Sequence, residues 1–140
     1  MANPTGVVVS FQKNKKEVAR LEDFDRLKLV GKGTFGKVFK VKHRKTGNIY
    51  AMKTIRKDTV LDNQSLDSLK LEMEVLEKVD HQFLVNMEYV FTDKYRVFFM
   101  MDFIDGGELF RHLMRIKRFK ENEGAFIIAQ VALALGHLHE

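Results

Sequence analysis

Cysteine is absent from the 140-residue sequence, so neither disulfides nor thiolate metal sites are available, and the redox compartment stays open. Absent too is an apolar run of membrane-spanning length. VFFMMDFI, residues 97–104, stops at eight residues with Asp102 inside it. The apolar stretch in MANPTGVVVSF is too short for a signal peptide, and Ala2 stands where myristoylation needs glycine. These absences lead to the expectation of a soluble protein of the cytoplasm or nucleus, with no membrane span. Charge of one sign is also in short supply. The formal net charge is +5, and the basic residues are scattered: Lys13, Lys15 and Lys16, then Lys40 to Lys45, then Arg115 to Lys120. Such runs read as solvated faces. They lack the stacking aromatics of a single-strand binder, so no nucleic-acid partner is expected.

What is present is enough apolar residue, 45%, for one core in one domain. Residues 1–23 read as a loose arm with one short apolar patch, Val7 to Phe11. From Phe24 onward the pattern is strand-like. FDRLKLVGKG alternates imperfectly and then turns through Gly31 and Gly33. In KVFKVKHR, Phe39 and Val41 share one face, Val38 and Lys40 the other. RKTGN is a turn, and NIYAMKTI continues beyond it, so residues 24–56 form an antiparallel meander. SLDSLKLEMEVLEK, residues 65–78, is helical, with Leu66, Leu69, Met73 and Leu76 in one stripe and Ser65 or Asn63 as cap. LVNMEYVF and RVFFMMDF give two more strands. A short helix, Leu109 to Met114, and a long one over NEGAFIIAQVALALGHLHE come next, the latter capped by Asn122 or Glu121. The long helix is apolar on most of its circumference, as suits a helix central to a larger domain.

The stretch VGKGTFGKVFKVKHRKTGNIYAMK, residues 30–53, carries the chemistry. A GxGxxG that opens a helix after a strand marks a dinucleotide site. Here Gly31, Gly33 and Gly36 run into Val38, Phe39 and Val41, a strand, which argues against that fold. GxxxxGK[ST] is absent as well. An ordinary glycine-rich hairpin remains the alternative. Lys53 lies between apolar neighbours Met52 and Ile55, which suggests a buried strand where an unpaired ammonium is costly. Glu72 and Glu74 are both candidate partners on the helix.

GKGTFGKV together with YAMK resembles the amino-terminal lobe of eukaryotic protein kinases, and more closely the cyclic-nucleotide-dependent and protein kinase B-like serine/threonine (AGC) group. The resemblance covers roughly residues 24–140. It implies an α+β fold: a five-stranded antiparallel sheet with one packed helix over 24–101, a hinge at 102–107, and from 108 the first helices of an incomplete carboxy lobe. It implies ATP as cofactor, with Mg2+ in the complete domain. Val30, Gly31, Lys32, Gly33, Thr34, Phe35, Gly36 and Lys37 would cover the phosphates, glycines allowing close backbone approach. Val38 and Ala51 would roof the adenine, and Met101 would stand behind it. The Asp102 carbonyl and Ile104 amide would serve its edge. Lys53 would pair with the α/β-phosphates, and Glu72, not Glu74, would hold Lys53. Glu108 resembles an acid near the ribose that also meets basic residues of protein substrates ahead of their Ser or Thr; a capping role before LFRHL is its alternative. A hydrophobic-motif peptide is the partner implied for a groove near Leu66, Leu69 and Val97.

The sequence departs from the family pattern at Ser68 and Lys70, where histidine and leucine are usual. That suggests a rotated or shortened helix and removes a cation that would reach an activation loop. The 140 residues also contain no HRDLxxxN, DFG or APE. No catalytic proton acceptor and no metal ligand is therefore assigned. The expectation is the ATP-binding portion of a truncated serine/threonine kinase, inactive alone, with a non-catalytic interaction module as the alternative.

Overall fold

The computed structural model describes residues 6–13, 19–33, 36–60 and 63–140, the side chains of 63–66 excepted. Thr34, Phe35, the Leu66 side chain and the caps assigned to Ser65 or Asn63 lie outside the described residues. Two compact units emerge. The first comprises residues up to 78 together with 86–103. The second comprises 79–85 and 104–140.

The first unit is a six-stranded antiparallel sheet of β1 (Val8–Gln12), β2 (Phe24–Lys32), β3 (Gly36–His43), β4 (Ile49–Arg56), β5 (Met87–Thr92) and β6 (Arg96–Asp102). Their order across the sheet is β1-β5-β6-β4-β3-β2. The meander of β2, β3 and β4 forms because alternating side chains meet a tight turn at residues 44–48. There Gly47 takes a φ of +77°, His43 pairs with Asn48 and Gly47, and the Thr46 hydroxyl accepts from the Asn48 amide. Gly31 is not in a turn as expected; β2 continues through Lys32, with register shifts at Arg26/Lys28 and Leu29/Gly31. The expected five strands are joined by a sixth. β1 arises from the apolar patch of the arm and pairs with β5.

Two cores lie on the two faces. Phe24, Val41, Met52, Phe91, Phe98 and Met100 build one, extended by Val7 and Ala19. Phe24 sets its aromatic centre, with edge contacts to Tyr50, Tyr89 and Phe91. Ile55, Val60, Met87, Val90, Val97 and Phe99 build the other, and α1 (Asn63–Lys78) lays Leu69, Met73 and Leu76 against it. The helix runs without interruption through Ser68 and Lys70. Lys70 is exposed, 3.9 Å from Asp67.

The second unit carries α2 (Leu109–Ile116) and α3 (Glu121–His139). Gly106 and Gly107 adopt φ of +98° and +81°, which only glycine takes without strain, and so bend the chain into α2. α3 starts on Lys120, not on Asn122 or Glu121. The Lys120 amide donates to the Glu123 carboxylate at 2.9 Å, a bond that sequence polarity alone does not flag. Segment 79–85 packs with α3 around an apolar groove lined by Phe83, Leu84, Val131, Ala134 and Leu138. Nearby, the His81 and His137 rings stack at 5.1 Å. Phe126, Ile128 and Leu133 are largely exposed. No helix among the described residues is long and apolar enough to cross a membrane.

Candidate functional site

Strand register assembles the site. Gly31 lies opposite Val38, Val38 opposite Lys53, and Lys53 opposite Phe99, a row that crosses β2, β3, β4 and β6. The next row joins Lys40, Ala51 and Met101. Because side chains two apart on a strand share a face, Ala51, Lys53 and Ile55 all point to the α1 side. Val38, Ala51 and Met101 are half-buried there and form an apolar shelf beside Lys53.

Lys53 Nζ donates to Glu72 Oε1 at 2.5 Å. Of the two glutamates that sequence reasoning left open before the family was considered, Glu72 is the partner. Glu74 turns away and binds Lys78 at 2.6 Å, one helical turn on. The strand that carries Lys53 is central, as Met52 and Ile55 suggested. The side chain itself is 32% exposed, however, and that of Glu72 is 42% exposed. Burial therefore does not force the pair. An ion pair in that setting adds at most about 1 kcal/mol to stability, and its geometry keeps an ammonium at the edge of an open shelf.

The glycines separate by cause. A Cβ on Gly36 would lie 1.8 Å from the Thr54 carbonyl oxygen, so the β3–β4 pairing itself excludes a side chain. A Cβ on Gly31 would meet only Val38, at 3.8 Å, and one on Gly33 only the Gly36 oxygen, at 4.0 Å. Among the described residues the fold leaves room at both. Gly33 is held by its amide bond to Gly36 O, 2.8 Å, which closes the β2–β3 loop. Val30, Lys32, Gly33 and Lys37 are exposed along that loop.

Asp102 ends β6. Its amide donates to Asn86 O at 3.0 Å, and its carboxylate accepts from Asn86 Nδ2 at 3.2 Å. Asn86 was not singled out by sequence; only the structure pairs it with the strand end. Ile104 and Glu108 belong to the second unit, where Ile104 is exposed. Glu108 occupies the N-cap position of α2, yet its side chain makes no capping bond; its carbonyl accepts from Arg111 and His112. Of the expected groove, Val97 is buried in the α1-side core and Leu69 packs on that core.

The opposite sheet face holds a cavity of about 400 Å3, lined by Arg26, Lys37, Phe39, Thr54, Arg56 and Arg96 among others. Its cations come from four separate strands, so no sequence run reveals them.

The shelf, the open glycines and the paired ammonium fit a nucleotide, with a flat ring against Val38, Ala51 and Met101 and a polyanion at Lys53. The fit does not extend to Mg2+. Among the described residues, no three His, Asp or Glu side chains gather as a metal site.

A family model described as protein kinase domain matches residues 24–140. The RAC family serine/threonine-protein kinase homolog of Dictyostelium discoideum is 41% identical over 128 residues, 91% of this chain and 29% of that protein. The serine/threonine-protein kinase AtPK1/AtPK6 of Arabidopsis thaliana is 42% identical over 123 residues, 88% of this chain and 26% of its own length. The serine/threonine-protein kinase Sgk2 of Mus musculus is 43% identical over 122 residues, 86% of this chain and 33% of its own. The chain thus spans between 26% and 33% of the length of these curated relatives. With its antiparallel sheet, its helix-borne Glu72 on Lys53 and these matches, the chain belongs to the protein kinase domain family, among serine/threonine kinases of the AGC group.

Proposed function

We propose that residues 24–140 form the ATP-binding portion of a serine/threonine protein kinase. The observation that carries this is the register row Gly31–Val38–Lys53 with Glu72 at 2.5 Å from the ammonium. Gly31 and Gly33 present backbone without side chains where the fold does not require it, and phosphate oxygens are the ligand that benefits from such an approach. Lys53 meets the α/β-phosphates, Glu72 fixes the ammonium, and Val38, Ala51 and Met101 pack the adenine. Thr34, Phe35, Gly36 and Lys37 complete the phosphate cover. The Asp102 carbonyl holds the ring edge; for Ile104 and Glu108, which belong to the second unit, the adenine-edge and ribose roles rest on the family resemblance alone.

Phosphoryl transfer depends on positioning and charge stabilisation. Lys53 and Glu72 supply only part of this, and among the described residues no three His, Asp or Glu side chains gather as a metal site. Expressed by themselves, residues 1–140 bind ATP weakly and transfer no phosphate. The proposed docking of a hydrophobic-motif peptide near Leu66, Leu69 and Val97 belongs to the same reading.

An NMR titration with Mg-ATP tests the proposal. The expected result is saturable shifts at Gly31, Gly33, Lys53 and Met101 that a Lys53→Met variant loses. No shift at these amides, shifts unaffected by Lys53→Met, or phosphate transfer by the pure chain would overturn it.

A second reading, a non-catalytic interaction module, draws on one specific observation, the exposed Phe126, Ile128 and Leu133 of α3. It predicts a tight partner on α3 and no nucleotide-dependent shift at Lys53.

A further inference from the structure

Ser10 decides what the amino-terminal strand does. In the β1–β5 pairing, Val9 lies opposite Phe91 and Phe11 opposite Val90, so the register slips between them. An extra residue in one strand leaves the ladder locally unpaired and re-aims the side chains beyond it. Val9 consequently packs on the core of Phe24, Phe91 and Phe98. Phe11, two residues on, packs on the opposite core of Ile55, Val90, Val97 and Phe99. Without the slip, the period of two would place both on one face. Leu69, Met73 and Leu76 of α1 rest on this second core, so Phe11 and the helix bearing Glu72 share one support.

The strand also stays attached beyond Phe11. The Lys13 amide donates to Glu88 O at 2.9 Å, and Lys13 Nζ donates to Asn86 Oδ1 at 3.1 Å. Asn86 is the residue whose amide group binds the Asp102 carboxylate. One short segment therefore reaches both ends of the candidate nucleotide shelf: the seat of α1 and the end of β6.

We propose that Val8–Lys13 is a clasp in cis, in which Phe11 positions α1 and Lys13, through Asn86, positions Asp102. Occupation of the β5 edge by β1 then sets the geometry in which Lys53 and Asp102 meet a ligand. The bland alternative is a strand that merely covers an edge. An edge cover needs no bulge to turn an aromatic toward α1, and no side-chain chain to Asp102. The structural half of the proposal stands on these contacts alone; its consequence for ligand affinity rests on the nucleotide reading above.

Native-state hydrogen exchange on the whole 140-residue chain tests it, because exchange resolves local from global opening. In Phe11→Ala, the α1 amides of residues 69–76 exchange about tenfold faster while the β2–β3 amides keep the wild-type rate. Phe11→Leu restores most of the protection. Lys13→Met speeds exchange at the Asp102 amide several-fold and leaves α1 unchanged. Val8→Thr, on an exposed side chain of the same strand, does neither. In a Mg-ATP titration, Phe11→Ala weakens the shifts at Lys53 several-fold. Faster exchange confined to β1, or equal acceleration in every strand, overturns the clasp. Unaltered nucleotide titration in a variant whose α1 has loosened overturns the coupling to the site. A wild-type chain that shows no titration counts against the nucleotide reading instead, and exchange still decides the clasp.

Discussion

Gly36 on β3 and Thr54 on β4 approach so closely that a methyl group on the glycine would lie 1.8 Å from the Thr54 carbonyl oxygen. The obstacle is backbone, which cannot swing aside as a flexible side chain would. Gly36→Ala must separate β3 from β4 and should cost about 3 kcal/mol. Gly31→Ala meets only Val38 at ordinary contact distance and should leave stability unchanged or raise it by about 0.5 kcal/mol. Denaturant unfolding of the two variants checks the contrast. If the nucleotide reading holds, Gly31→Ala should nonetheless weaken the Mg-ATP shifts. Equal stability of both variants would show that the strands part without penalty.

Much of this arrangement is legible in sequence wherever the pattern is local. The meander from Phe24 to Arg56 follows from alternating residues and the turn around Gly47. The stripe of Leu69, Met73 and Leu76 fixes the buried face of α1. Non-local pairing is not written in that way. VVSFQ reads as an apolar patch, and nothing within it specifies β5 as partner or Ser10 as the point where register slips. The site divides similarly. Lys53 stands out by its apolar neighbours. Choosing Glu72 over Glu74 took family resemblance, since both lie within one turn, and the structure supplies the physical reason in Lys78, which engages Glu74. Asn86 gave no signal because its role depends on Lys13 and Asp102, both remote in sequence.

Thr54 carries a second, quieter liability. Its hydroxyl is buried, with no hydrogen-bond partner among the described residues, on the face opposite Lys53. An unsatisfied buried polar group costs about 1–3 kcal/mol, and replacing it with a methyl of the same shape removes that penalty. Thr54→Val should therefore raise stability by about 1 kcal/mol, measured by thermal or urea unfolding. Destabilisation would mean that the hydroxyl has a water partner in the adjoining cavity.

Acid should weaken one edge of the sheet in a defined direction. The side-chain hydrogen bond from Arg44 holds the Asp25 carboxyl below its ordinary value; desolvation opposes it, and the charges of Arg44 and Lys42 add to it. A carboxylate depressed in the folded state contributes stability that is fully present above its unfolded value, and that contribution is lost as pH falls through the depressed one. Asp25→Asn should thus lower the melting temperature slightly near neutrality. The gap from wild type should close as pH drops from the ordinary aspartate range through the lowered value. Both residues are exposed, so added salt should shrink the gap as well. A gap independent of pH would assign the effect to backbone pairing of β2 with β3.

The last expectation concerns α3. Phe126 and Leu133, seven positions apart, fall on one side of the helix, and Ile128 and Leu135 on the other. Phe126, Ile128 and Leu133 expose 70%, 66% and 57% of their surface. Ile127, Val131, Ala134, Leu135 and Leu138 line a groove with residues 82–85, and Phe126, Ile128 and Leu133 do not. Each large apolar side chain that becomes fully covered contributes about 1.5–3 kcal/mol, against an association cost of at least about 4 kcal/mol. Mutual cover of a few such residues is enough to bring 140-residue chains together at micromolar concentration. Sedimentation over a concentration series should show a monomer at the lowest loading and association above it. The double substitution Phe126→Glu with Leu133→Lys, which leaves the net charge unchanged, should abolish association while preserving the sheet's exchange pattern. A wild-type chain that stays monomeric at every loading, or a double variant that still associates, would show that these side chains are not the adhesive surface.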